Sequence, residues 1–317
     1  MDHSEFNDSV GNLSEGVYAG LPIAHAPEED GEELPAADRA AWRIAVETYD
    51  PEETFEERFA RFLARVDTTQ VKALIIGGWA EAYEEDSSAV VRLLTGDAAR
   101  FPALRSLFLG AMESEECEIS WIQQSDVTPL LEAFPLLERL EVRGGSGLEL
   151  RPVRHETLRI LRFETGGLPA GVVRAVGACE FPALEHLELW LGVSDYGGDA
   201  TVADLEGILS GDRLPALRHL GLQDSEIQDE VAAAVASAPV VARLESLAQS
   251  MGVLTDAGAE ALLTGQPLTH LKRLDLHHHY LSDGMAERIR RALPEVEIDL
   301  TEREDPDDEW RYVAVGE

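Results

Sequence analysis

The chain has 317 residues, 44% of them hydrophobic and 6% aromatic, with 61 acidic against 26 basic residues and a formal net charge of −35. So acidic a surface disfavours nucleic acid and anionic membranes, whose phosphates need clustered Lys and Arg; it would attract a protein partner with a basic surface, though its plainer reading is solubility. Two cysteines, Cys117 and Cys179, make no disulfide framework and fit a reducing cytosol; no basic-then-apolar leader opens the chain, and no run of about 18 apolar residues offers a membrane span.

Residues 1–40 are polar and include the run Glu28-Glu-Asp-Gly-Glu-Glu33. They are expected to be largely flexible, with Tyr18–Ile23 pinned to the body. Residues 41–70 read as a strand and helix that cap the first repeat. Trp42–Tyr49 alternates like a strand. Asp50 is expected to cap a helix with Pro51 in its first position and Glu53 closing a capping box. Phe55, Phe59, Phe62, Leu63 and Val66 form its apolar stripe.

From 71 to 300 one pattern recurs, L-x-x-L-x-L. It reads Leu104, Leu107, Leu109; Leu137, Leu140, Val142; Leu158, Leu161, Phe163; Leu184, Leu187, Leu189; Leu217, Leu220, Leu222; Leu244, Leu247; and Leu271, Leu274, Leu276. Val71, Leu74 and Ile76 share its phase upstream, and Val296, Ile298 and Leu300 make a last strand. The middle residues are spaced by 33, 21, 26, 33, 27 and 27, so loops of varied length interrupt a unit of roughly 20–29 residues. Such a unit is one strand plus a return helix that cannot bury its apolar face alone. The expected fold is α/β: a leucine-rich-repeat solenoid, or horseshoe, of about eight repeats, strands on the concave face and helices on the convex face, capped at both ends. Helix starts fall at Asp126/Thr128, Asp199/Thr201, Asp229, Thr255/Asp256 and Ser282/Asp283. Residues 301–317 are an acidic tail whose Trp310–Val315 alternates like a strand, either a cap or a docking segment.

Units such as Leu217-Arg-His-Leu-Gly-Leu-Gln-Asp-Ser-Glu-Ile227 and Leu271-Lys-Arg-Leu-Asp-Leu-His-His-His-Tyr-Leu281 resemble ribonuclease-inhibitor-type leucine-rich repeats. The usual Asn or Cys after the third apolar residue is replaced by Met112, Gly145, Gly166, Gly192, Ser225, Gly252 and His279, and Gln249 stands where a Leu is expected. More narrowly, Phe55–Leu63, Glu116–Asp126, Leu189–Gly198, Leu274–Leu281 and Trp310–Val315 are similar to an uncharacterised family of bacterial leucine-rich-repeat proteins. That resemblance implies a cytoplasmic bacterial protein and no particular activity.

Strand alternation aims the residues flanking the buried leucines at the concave face. The candidate partner-binding set there is Arg139, Arg143, Arg162, His186, Glu188, Trp190, His219, Gln223, Asp275 and His277, with Trp190 read either as an exposed hot spot among hydrogen-bonding neighbours or as packing against the neighbouring loop. Trp121 and Tyr196 lie in two longer loops on one edge. Cys117 sits among glutamates that raise its pKa, which argues against a nucleophile. The leading expectation is a non-enzymatic protein-binding scaffold with no catalytic residue and no cofactor. One alternative is a metal site of Asp275, His277 and His279, two imidazoles and a carboxylate on one strand face. The other is a self-associating structural protein.

Overall fold

The computed structural model describes residues 15–29 and 31–316. The expectation of flexibility for residues 1–14 lies outside them. The chain divides into two compact units, Met1–Glu149 and Leu150–Glu317. The first holds β1 (Val17–Tyr18), β2 (Leu21–His25), β3 (Ala41–Ile44), α1 (Phe55–Arg65), β4 (Ala73–Ile76), α2 (Ser88–Gly96), β5 (Ser106–Leu109), α3 (Thr128–Ala133) and β6 (Arg139–Arg143). β1 and β2 pair antiparallel; β2 to β6 then lie side by side in parallel. The second holds β7 (Ile160–Glu164), α4 (Ala170–Ala178), β8 (His186–Gly192), α5 (Glu206–Ser210), β9 (His219–Ser225), α6 (Gln228–Val235), β10 (Ser246–Ala248), α7 (Asp256–Thr264), β11 (Arg273–Asp275), α8 (Asp283–Ala292) and β12 (Glu297–Asp299). Among the described residues, the pairings between these strands are all parallel and join chain neighbours. Both units are thus α/β, each step a strand, a return segment and the next strand beside the first.

The leucines set the register. Leu74 stands opposite Leu107 and Leu107 opposite Leu140. In the second unit Leu161 faces Leu187, Leu187 faces Leu220, Leu220 faces Leu247, Leu247 faces Leu274, and Leu274 faces Ile298. These side chains are at most 1% exposed from Leu74 to Leu274, so each rung buries its apolar area against the next one. The first unit extends the ladder upstream, with Trp42 opposite Leu74 and Ala24 opposite Trp42.

The N-terminal segment agrees with its expectation in one place and differs in another. Tyr18 closes an apolar patch of Ala41, Ala73, Ile75, Phe108 and Ala111, with Leu21 and Ile23 packed beside it. Burying that patch holds Val17–Tyr18 and Leu21–His25 as strands, in keeping with the pinning of Tyr18–Ile23. Helix α1 starts four residues later than Pro51, at Phe55. Thr54 Oγ1 accepts the Glu57 N–H (3.2 Å) and the Glu57 carboxylate accepts the Thr54 N–H (3.0 Å), a reciprocal capping box. Asp50 is in a left-handed conformation (φ 47°), and Glu53 binds Arg58 and Arg61 instead. The aromatic stripe is as read, with Phe62 against Trp42 (5.6 Å) and against Phe101 (6.4 Å).

Polar groups in the apolar phase replace the missing Asn ladder. Gln124 Nε2 donates to the Arg143 carbonyl (2.7 Å) at the end of β6. Gln228 Nε2 donates to the Leu222 carbonyl (2.9 Å) and to Gln249 Oε1 (3.1 Å). Gln249 is fully buried and its own Nε2 donates to the Leu222 and Ala248 carbonyls (3.2 and 3.0 Å). Gln249 is tolerated in the core because both its amide oxygen and its amide nitrogen have partners.

Successive helix starts are tied together. Thr255 and Ser282 cap α7 and α8 with their hydroxyls. Each cap also leans on the acid of the preceding helix: Thr255 N–H on Asp229 (2.8 Å), and Ser282 N–H and hydroxyl on Asp256 (2.9 and 2.7 Å). Asp256→Ala removes two bonds to a charged acceptor and unsettles the α8 cap. We expect a loss of about 2 kcal/mol in urea unfolding, and less than half of that for Asp256→Asn. A neutral Asp256→Ala would show that the helix starts are independent.

Candidate functional site

On the sheet face of the second unit the residues flanking the leucines converge on Glu188. Glu188 Oε1 accepts from Arg162 Nη2 (2.8 Å) and from Trp190 Nε1 (2.9 Å). Its Oε2 lies 3.2 Å from His186 Nε2. Burial works against the charge on this carboxylate, but Arg162, the His186 hydrogen bond and the nearby His186 and His219 outweigh it and hold its pKa well below the usual carboxylate range. Arg162 also reaches Glu164 (3.1 Å), and its guanidinium lies over the Trp190 ring at 5.6 Å. The His186 and His219 rings stack at 4.0 Å, and His219 Nδ1 lies 2.7 Å from Ser246 Oγ. Opposite Glu188 on β9 stands Gly221, where a Cβ would come within 2.9 Å of Glu188 Cγ. The glycine leaves room for the carboxylate to lean over β9.

This cluster corrects the reading of Trp190 as an exposed hot spot. Its ring is 2% exposed and its N–H is committed to Glu188. Arg139, Arg143, Arg162, His186, Glu188 and Gln223 are buried as well. Neighbouring strands about 4.8 Å apart let long side chains cover one another, so facing outward does not mean exposed. In the first unit Arg139 forms a bidentate pair with Glu141 (2.7 and 2.9 Å) and lies 4.8 Å over Tyr18, and Arg143 donates to the Met112 carbonyl (2.7 Å). In the second, Gln223 Nε2 donates to Ser250 Oγ (2.7 Å).

Asp275, His277 and His279 are not brought together as a ligand set. Strand β11 ends at Asp275, and His278 takes a left-handed φ of 51°, which breaks the alternation that would align His277 with His279. His277 bonds Asp275 (2.8 Å); burial lowers its pKa, but Asp275 more than offsets this and the net shift is upward. His279 turns back to the Leu281 N–H (3.1 Å) and lies 3.4 Å from the Leu300 carbonyl, with burial lowering its pKa.

Of the two loop aromatics, Trp121 is exposed and Tyr196 is not. Trp121 is 54% exposed at the end of a short 3-10 turn, Ile119–Trp121. The loop around it is anchored: the buried Arg43 on β3 grips the Glu116 carboxylate (2.7 and 3.0 Å), and Ser146 Oγ donates to the Ser120 carbonyl (3.0 Å). Cys117 in this loop is buried, and burial, then Glu118 and Glu116, push its thiol up to about 11. Burial likewise pushes Cys179 up to about 11. In the second unit Tyr196 ends the 3-10 turn Ser194–Tyr196 and is partly buried.

Of the two expectations for the C-terminal tail, the structure shows the cap, on a path that sequence alone does not indicate. The C-terminal segment folds back as a strap across the ends of three strands. The Tyr280 hydroxyl donates to the Tyr312 carbonyl (3.1 Å) and accepts the Tyr312 N–H (2.9 Å), and His278 Nε2 lies 3.0 Å from the same carbonyl. Ala314 N–H donates to the Met251 carbonyl (2.7 Å), and Val315 N–H to Asp224 Oδ1 (2.9 Å). Val313 is buried, whereas Trp310 is 84% and Tyr312 54% exposed. The available signal was Asp224 itself, a carboxylate in the inward phase of Leu220 and Leu222.

No protein-family profile matches the sequence. No curated protein matches it either. Among solved structures, a Bacteroides fragilis protein is similar at 33% identity with a TM-score of 0.73, over 78% of this chain and 70% of that one. A leucine-rich-repeat protein of Leptospira interrogans aligns over 83% of this chain and 90% of that one at 12% identity, but its TM-score of 0.20 is too low to carry an argument. Among the described residues no helix is long and apolar enough to cross a membrane.

Asp224 gives the strap a pH dependence. Burial raises its pKa from 3.8 to about 8, against the lowering effect of the Val315 hydrogen bond. A raised carboxyl favours the protonated form in the folded state, so its contribution is full below about 4 and is lost as pH rises through about 8. Measured by urea unfolding, the stability of wild type relative to Asp224→Asn is expected to fall steadily between those values and then level off. A difference independent of pH would mean that Asp224 titrates normally.

Proposed function

We propose that this chain, which belongs to the same family as the Bacteroides fragilis protein, is a leucine-rich-repeat binding scaffold of about eight repeats that acts without catalysis. The in-register leucines support the repeat reading. The two buried free cysteines support a cytosolic setting.

The observation that carries the binding role is Trp121. A half-exposed indole on a loop fixed by Arg43–Glu116 and Ser146–Ser120 costs solvation without visible structural return. Aromatic side chains held rigid at the surface are the usual anchors of protein interfaces, because little side-chain entropy is lost when they dock. Glu115 and Glu118, exposed in the same loop, and the net charge of −35 suit a partner with a basic surface. Within the first unit, the buried candidates Arg139 and Arg143 then act as the rigid bed, with the contact made at its loop edge.

Affinity purification from the native host separates these roles. Wild type is expected to retain a basic partner at low salt and to lose it progressively as salt rises. Trp121→Ala should weaken the isolated complex about tenfold or more while leaving the unfolding midpoint unchanged. Equal affinity in wild type and Trp121→Ala would remove the loop edge as the contact.

A further inference from the structure

We infer that His186, Glu188 and His219 form a binding site for a divalent transition-metal ion on the face of β8 and β9. The inference is independent of the partner reading. One ligand atom from each residue lies within 4.8 Å of the other two, and among the described residues no other His, Cys, Asp or Glu group meets that condition. The register produces the cluster: His186 pairs directly with His219, and Glu188 pairs with Gly221, whose missing side chain lets the carboxylate lean over β9.

The surroundings sort the donor atoms. Arg162 and Trp190 occupy Glu188 Oε1, which leaves Oε2, already turned to His186, as the ligating oxygen. Ser246 engages Nδ1 of His219, which presents Nε2 as the ligand. Bonds of this kind orient ligands and select the imidazole tautomer in metal sites generally. The charge of Arg162 is shared with Glu164, so it does not oppose a cation unanswered. Two imidazoles and one carboxylate suit zinc or another late first-row ion, and three protein ligands leave a coordination position open to water. Ligation requires the two stacked rings to turn so that their lone pairs converge, and any proton held between His186 and Glu188 is released to solvent.

The test uses full-length protein stripped with a chelator and titrated with cobalt(II) and zinc(II), with calorimetry in two buffers to count released protons. Wild type and His277→Ala are expected to take up one equivalent, with the visible absorption of a low-symmetry cobalt site. His219→Ala and Glu188→Gln should each weaken binding about tenfold or more. Circular dichroism checks each variant; if Glu188→Gln does not fold, the partly exposed His219 decides alone. No saturable uptake by wild type, unchanged affinity in His219→Ala, or loss in His277→Ala instead would each overturn the site.

Discussion

Stacking of the inward leucines in register is the constraint on which everything else in each unit rests. When Leu187 sits opposite Leu220 and Leu220 opposite Leu247, every other residue of those strands is placed as well. A slip of one residue would send the leucines to the opposite face and the charged residues into the core. The register therefore does two jobs. It buries the apolar area that stabilises the fold, and it stacks His186 on His219 and sets Glu188 beside Gly221.

Polar groups inside the leucine phase depend on the same alignment. Gln249 and Gln228 meet because their strands and returns are held in step, and each finds the Leu222 carbonyl. Asp224 is placed two residues beyond Leu222, where the strap supplies Val315 N–H. The buried ion pairs of the sheet face follow the same logic. Removing one partner would strand a charge in a region of low polarity, so Arg162, Glu164 and Glu188 hold each other as a unit.

The repeat phase was legible because leucine marks it; the rungs made by Trp42 and Ala24 were less so, because size and not residue type fills the slot there. Alternation indicated which side chains share the outer face, and it brought His186, Glu188, Trp190 and His219 together correctly. It could not report exposure, because Trp190 is covered by neighbours that only the folded sheet assembles. The Asp275–His279 reading failed for a backbone reason, the left-handed turn at His278, which no residue pattern announced. The strap was foreshadowed as a tail that caps, but its path over Tyr280, Met251 and Asp224 depends on contacts between residues 32 to 91 positions apart.

The most direct test of this account is a double-mutant cycle between Leu187 and Leu220, read by urea unfolding. Each change to alanine should cost about 2–5 kcal/mol. Because the two side chains share one rung, the double mutant should depart from the sum by at least about 0.5 kcal/mol. Strict additivity, or a cost below about 1 kcal/mol for either single change, would contradict the claim that in-register leucine packing holds the sheet together.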